Sequence, residues 1–245
     1  MKKILKDALI IATFKSVPEI KRQPMLIVLI FFVSALPLFF IYMFGGKINF
    51  GVIGAMVSTV SFMGITGAIQ EIAWDRYVKI REMLVAMPVK PISYGLGISL
   101  TPLIFSIPSL VFFIGISIYL GIIPLYSIGW VIIALLLCWA TLSCLGFLIS
   151  TYLYKTNIFT LNIISNLLAL ILIFIPPVYY SEEMLGSLRW VSPLVPTSNI
   201  AGLIGGYTGM LTIPLYELIL RWSILLIMMI LSIVAVLHKA QWREK

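Results

Sequence analysis

The chain has 245 residues, of which 61% are hydrophobic and only 11% are charged. Soluble domains carry about 25% charged residues, so this composition excludes a soluble protein and predicts an integral membrane protein. The net charge of +8 does not indicate nucleic-acid binding, because the basic residues cluster in connections between apolar stretches.

The first predicted element is an interface helix within residues 1–24, a stretch too polar and interrupted for a cleaved signal peptide. Its apolar residues share one helical face, with lysines elsewhere, as in helices that lie along anionic headgroups. The residues of that face are Ile4, Leu5, Ala8, Leu9 and Ala12. Pro18 and Pro24 are expected to redirect the chain into the first span.

Six apolar stretches are long enough to cross a bilayer, since a span needs roughly 20 residues. These predicted spans are 25–44, 49–70, 94–120, 129–152, 158–178 and 218–237. Gly121 and Pro124 favour a turn between the third and fourth spans, and Lys155 marks the next turn.

The fold class predicted is therefore an all-α membrane protein forming a single domain over 1–245. Its parts are the interface helix 1–24, spans 1–2 in 25–70, a charged helix in 71–91, spans 3–5 in 92–178, an outer segment 179–217, and span 6 with a tail in 218–245.

The segment 71–91 is a charged island. Seven charged residues fall within it, whereas residues 48–70 and 91–154 carry none. Apolar residues recur there with 4-3-4-3 spacing and would form one helical face: Ala73, Tyr77, Ile80, Leu84 and Met87. The opposite polar face would contain Asp75, Lys79 and Glu82. This pattern fits either a solvated connecting helix or a helix that binds another protein.

The outer segment 179–217 is apolar but rich in Gly, Pro, Ser and Thr. It is too interrupted for a span and too apolar for a free loop. Short helices that enter the membrane part-way and pack on the other spans would satisfy both properties. We therefore predict a re-entrant helical hairpin before the last span.

The distribution of Lys and Arg predicts the orientation. With both termini in the cytoplasm, 14 of the 17 basic residues lie on the cytoplasmic side, and Lys47, Arg189 and Arg221 lie outside. This bias indicates a multi-pass protein of the cytoplasmic membrane with an even number of spans. Arg221 and Glu217 are expected near the outer surface, where long side chains reach the headgroups.

Few residues indicate a catalytic, metal-binding or substrate-binding site. The chain has one histidine, no phosphate-binding loop, and no arrangement typical of a catalytic or metal site. Asn162, Ser165 and Asn166 share a face of the fifth span, where they could bond between helices or line a substrate path. Because the spans contain so few charges, an ion-coupled carrier is disfavoured, and the energy source is expected outside this chain.

The order of elements and two motifs resemble the type-2 ABC transporter permeases, a family that includes drug, antibiotic and polysaccharide exporters. The first motif is Asp75-Arg76, followed by Arg81-Glu82-Met83-Leu84-Val85-Ala86 and Pro88. It is similar to the acidic-Arg…Glu-Met-Leu-Val…Pro signature of the family's coupling helix. The second motif is Pro176-Pro177-Val178-Tyr179 with Ser192-Pro193 and Pro196-Thr197. It resembles the family's outer hairpin.

The chain departs from the family pattern at two places. Tyr77-Val78-Lys79 stands where the family commonly has a small Gly-containing stretch after the Arg. Leu188-Arg189-Trp190 lies near the position of the family's usual Leu-Pro-x-Trp. In the family, the first position belongs to the helix that contacts a partner ATPase, and the second belongs to the gate on the outer side of the membrane.

The resemblance implies a permease subunit that exports a lipophilic drug, lipid or glycan-type substrate. It implies two cytoplasmic ABC ATPase subunits, which alone bind ATP and Mg, and a second permease copy or a paralogue. The coupling helix would enter a groove on the ATPase, with Ile80, Met83, Leu84 and Met87 as apolar anchors. Its charged rim contacts would be Arg76, Arg81 and Glu82.

Two other classes of function stay open from the residues. An ATP-independent carrier or channel would transport without a partner. A membrane-embedded enzyme is disfavoured, because the chain has no recognisable nucleophile or metal constellation.

Overall fold

The computed structural model describes residues 2–78 and 91–239, and these two ranges contain helices and turns but no β-strand. The helices are α1 Lys2–Arg22, α2 Met25–Met43, α3 Ile48–Tyr77, α4 Pro91–Tyr119, α5 Ile128–Tyr152, α6 Ile158–Phe174, α7 Pro196–Tyr207 and α8 Leu215–Lys239. Short 3₁₀ turns at Leu125–Ser127 and Glu182–Leu194 precede α5 and α7. Much of the predicted coupling helix lies outside the described residues, namely Ile80, Arg81, Glu82, Met83, Leu84, Met87 and Pro88.

Five of these helices are long and apolar enough to cross a membrane: α2, α3, α4, α5 and α8. The chain is therefore a multi-pass membrane protein. α6 is shorter, with 17 residues, and ends at Phe174 rather than at 178 as predicted. Pro176 and Pro177 follow it, and their missing N–H groups cannot continue the helical hydrogen bonds.

The central element of the bundle is α3. In its apolar stretch 83% of residues are buried, against 11% in α2 and 17% in α8, so α2 and α8 present most of their surface to lipid. The core packs around α3 from α5, α6 and α7. Its fully buried side chains include Val52, Met56, Val57, Val60, Leu142, Leu161, Ile200 and Leu203.

The second predicted span and the first part of the charged island form one helix. A five-residue π turn, Met63–Gly67, lies inside α3, and the helix then continues to Tyr77. Gly67 contacts Pro102 of α4 and Ala68 contacts Gly146 of α5, so neighbouring helices approach closely at this turn. As a consequence, the charges at 71–76 belong to the end of the buried central helix.

α1 continues through Pro18 to Arg22, so Pro18 does not redirect the chain as predicted, whereas Pro24 lies directly before α2. Phe14 and Pro18 lie on the exposed side of α1, and the bond lost at the proline therefore lies away from the core. The predicted apolar face is divided: Ala8 and Ala12 are buried, whereas Leu5 and Leu9 are exposed. The buried face packs against α4.

Candidate functional site

Two buried ionic clusters lie at opposite ends of the helix bundle. The first, here called the α1–α3 cluster, consists of Lys15, Glu71, Asp75 and Tyr94. The second, here called the α8 cluster, consists of Glu182, Glu217 and Arg221. The first lies where α3 ends and α4 begins, and the second lies where α8 begins.

The α1–α3 cluster joins three helices through short hydrogen bonds. Lys15 Nζ donates to Glu71 Oε2 at 2.6 Å and to Asp75 Oδ1 at 2.7 Å. The hydroxyl of Tyr94 donates to Asp75 Oδ2 at 2.5 Å. Because Asp75 is only 1% exposed, both of its oxygens depend on these protein donors.

The charge of Lys15 is stabilised inside this cluster. Burial alone would lower the pKa of Lys15, but the nearby carboxylates of Glu71 and Asp75 outweigh it and raise the pKa above its ordinary value. Lys15 therefore stays protonated at physiological pH, as a cation between two carboxylates.

The burial of Asp75 corrects the sequence prediction, which placed it on a solvated polar face with Lys79. Its partners are Lys15, 60 residues earlier, and Tyr94. Lys15 was missed as a site residue, although a signal was present. Ala8, Ala12 and Lys15 follow the 4-3 spacing of a single helical face, so Lys15 falls beside the buried alanines.

Arg76, the second residue of the coupling motif, binds a fourth helix. Its Nη2 donates to Ser150 Oγ of α5 at 2.6 Å, and its Nε donates to the carbonyl of Ile72 at 3.4 Å. The last turn of α3 is thus tied to α1, α4 and α5. Val78 and Pro91, the described residues on either side of 79–90, lie within a few residues of this junction, because the Asp75–Tyr94 bond links α3 to the first turn of α4.

The polar residues predicted on the fifth span lie against α3. Gln70 of α3 donates to Asn162 Oδ1 and, at 3.3 Å, to Ser165 Oγ. Asn166 Nδ2 donates to the same Asn162 oxygen at 3.0 Å. Sequence reasoning missed Gln70. These bonds connect helices, yet Asn162 itself is exposed on the surface of α6.

Arg221 lies in the α8 cluster, and the prediction that it reaches the headgroups at the outer surface was wrong. This side chain does not reach outward, because it is 1% exposed and its Nη2 donates to Glu182 Oε2 at 2.6 Å and to Glu217 Oε1 at 2.9 Å. Glu182 also accepts from Ser192 Oγ at 2.7 Å. Gly202 of α7 lies directly against the guanidinium, where any larger side chain would collide with it.

The predicted outer-hairpin residues all lie in the connection around this second cluster. Pro176 and Pro177 are buried, and Pro196 opens α7 at a position where a missing N–H costs nothing. The carbonyl of Pro193 accepts from Asn199 Nδ2 at 2.9 Å. Tyr179 enters the bundle beside Gly54, and its hydroxyl lies 2.6 Å from Ser58 Oγ of α3.

Aromatic residues surround the same end of the bundle. Trp130 of α5 stacks on Tyr207 with ring centroids 5.9 Å apart, and Trp222 Nε1 donates to the Tyr207 hydroxyl at 2.8 Å. These contacts place the start of α5, the end of α7 and the start of α8 together. Rings with polar edges are typical of a membrane–water interface.

Within the described ranges, no group of His, Cys, Asp and Glu side chains is arranged to hold a metal ion. No protein-family model, curated protein or solved structure matches the chain. The resemblance to type-2 ABC permeases is therefore carried by the motif residues and the order of elements alone.

Proposed function

We propose that this chain is the permease subunit of a type-2 ABC exporter in the cytoplasmic membrane. It would cross the membrane six times with both termini in the cytoplasm, and α6 would be the fifth span, since 17 residues is the lower limit for crossing. The Glu182–Leu194 turns and α7 would form the re-entrant outer hairpin. The bias of 14 basic residues among 17 supports this orientation.

The main support for the proposal is the junction formed by the residues that flank the charged segment 79–90. Asp75 binds Lys15 and Tyr94, and Arg76 binds Ser150. A force on the segment would therefore act on α1, α3, α4 and α5 together. A merely solvated connection between two spans needs no such buried ionic junction, whose desolvation costs several kcal/mol per ion.

The proposed partners follow from this segment. Two ABC ATPase subunits, which bind ATP and Mg, would receive the apolar residues Ile80, Met83, Leu84 and Met87 in a groove, with Arg81 and Glu82 at its rim. A second permease copy or a paralogue would complete the transporter. The exposed amide of Asn162 supports the presence of this second permease chain, because placing an amide against lipid without a hydrogen-bond partner costs free energy.

The substrate proposed is a lipophilic drug, a lipid or a glycan-type molecule. The bundle presents few charges to any path along its helices, and the polar row on α6 consists of uncharged amides and a hydroxyl, Asn162, Asn166 and Ser165. Such a path suits molecules with little charge.

An ATP-independent carrier is the second candidate, and one observation favours it. Carriers commonly hold buried ionisable groups, and the α1–α3 cluster holds the buried Asp75 with the half-buried Lys15 and Glu71. That cluster lies at a helix end rather than near the middle of the bundle, where coupling ions usually bind. The carrier hypothesis predicts transport by the purified chain alone in liposomes without ATP.

Cross-linking in native membranes tests the proposed ATPase contact. With a photoactivatable amino acid in place of Leu84, we expect irradiation to yield an adduct to a cytoplasmic ATPase that mass spectrometry identifies. The same substitution at Tyr126, which is 81% exposed in the α4–α5 turn, is the control and should give no such adduct. Adducts from neither position, or from Tyr126 only, would contradict the proposal.

A further inference from the structure

An apolar groove opens on the lipid-facing surface between α4 and α5. Its volume is about 230 Å³, and its floor is Val60 of the central helix. Its walls are entirely aliphatic and consist of Leu103, Ile107, Leu110, Val111, Ile114, Ile132, Leu135 and Leu136. We refer to it as the α4–α5 groove.

Two prolines of α4 lie beside this gap. Pro102 and Pro108 lie inside α4, next to the groove residues Leu103 and Ile107. Each proline removes one helical hydrogen bond and disfavours a straight helix. α4 and α5 make few direct contacts with each other although a short turn joins them.

The length of the groove matches one leaflet of a bilayer. Leu103 and Ile114 are eleven residues apart on α4, which is about 16 Å at 1.5 Å per residue. That is roughly half of a hydrocarbon core about 30 Å thick. The groove begins near the middle of α4 and runs toward the α4–α5 turn, where Ile132 and Leu136 of α5 also lie.

The lining and size of the groove disfavour water and an inserted helix as occupants. Apolar cavities do not hold water, and one of about 150 Å³ is large enough to bind benzene. An α-helix about 10 Å wide could cover the opening but could not enter between α4 and α5. A single hydrocarbon chain fits the length, volume and apolar lining of the groove, and it is supplied by the surrounding membrane.

We propose that the α4–α5 groove binds one acyl chain of a membrane lipid from the leaflet that meets the α4–α5 turn. This site is independent of the proposed ATPase contact, since none of its residues belongs to either ionic cluster or to the segment 79–90. A resident chain would fill the space between α4 and α5 above Val60 of the central helix.

Photolabelling with lipid tests this proposal. The probe is a phospholipid with a diazirine in the middle of one acyl chain, added at increasing fractions to nanodiscs that contain the unaltered protein. We expect adducts on the groove residues to saturate at a low probe fraction. Adducts on Ile227 and Ile230 of α8, which are 55% and 54% exposed, should rise in proportion to the probe, as for bulk lipid.

A matched pair of variants identifies the groove. Ile107→Trp fills it and should reduce groove labelling about tenfold, the effect of losing contact with two buried methylene groups. Ile133→Trp, at a position with similar exposure (46%, against 49% for Ile107) but outside the lining, should leave labelling unchanged.

Three results would overturn the proposal. They are proportional labelling of the groove, equal effects of the two variants, and cross-links between two copies of the chain in place of lipid adducts. The saturation measurement uses the unaltered protein, so it decides the question even where Ile107→Trp fails to fold.

Discussion

Replacing Lys15 by alanine is expected to destabilise the folded protein by about 3–5 kcal/mol, because it leaves the buried Asp75 and the half-buried Glu71 without this cation. Asp75 is 1% exposed and Glu71 17% exposed by side chain, so water cannot replace Lys15 effectively. The measurement is the midpoint of thermal unfolding in nanodiscs. The control is Lys6→Ala, which removes an exposed lysine of the same helix and should change little.

A neutral version of the cluster separates charge from packing. In Lys15→Met combined with Glu71→Gln and Asp75→Asn, no buried charge remains to be compensated, so most of the lost stability should return. If Lys15→Ala unfolded at the same temperature as Lys6→Ala, the buried junction would not stabilise the fold. The mechanical role proposed for it would then lose its support.

The second large effect is expected at Arg221. Replacing it by alanine leaves Glu182 buried without its main cation and should cost about 3–5 kcal/mol. Arg189 is the matched control, because its Nε lies 3.9 Å from the same Glu182 oxygen but its side chain is 56% exposed. Arg189→Ala should cost less than about 1 kcal/mol, as solvated ion pairs do.

Denaturation of the two variants side by side tests this difference. Because both arginines lie near one carboxylate, the comparison depends on burial and hydrogen bonding rather than on the presence of a charge. Equal losses of stability in Arg221→Ala and Arg189→Ala would contradict the account of the α8 cluster.

The helices were largely predictable from sequence because their signals are local. Apolar length set the spans, and the ends of α2, α5 and α8 fall within a few residues of the predicted limits. The turn predicted at Gly121 is confirmed, and Gly121 has a positive φ of 68° that suits glycine. The short helical pieces expected before the last span also occur, at Glu182–Leu194 and α7.

The ionic clusters were not predictable, because their partners are far apart in the sequence. Lys15 and Asp75 are 60 residues apart, and Arg221 and Glu182 are 39 residues apart. Periodicity assigns a charged residue to a polar face whether it meets water or a buried counter-ion. For this reason the pattern placed Asp75 in solvent and Arg221 at the membrane surface, and tertiary packing buried both.

The central claim is that residues 79–90 face the cytoplasm, where an ATPase can bind them. The most direct measurement is labelling of Leu84→Cys with a membrane-impermeant maleimide in intact cells and in inverted vesicles, compared with Tyr126→Cys at the opposite end of α4. The native Cys138 and Cys144, buried and half-buried in α5, should contribute little background. We predict that Leu84→Cys reacts only in inverted vesicles and Tyr126→Cys only in intact cells. Reaction of Leu84→Cys in intact cells would place the segment outside and contradict the proposed function.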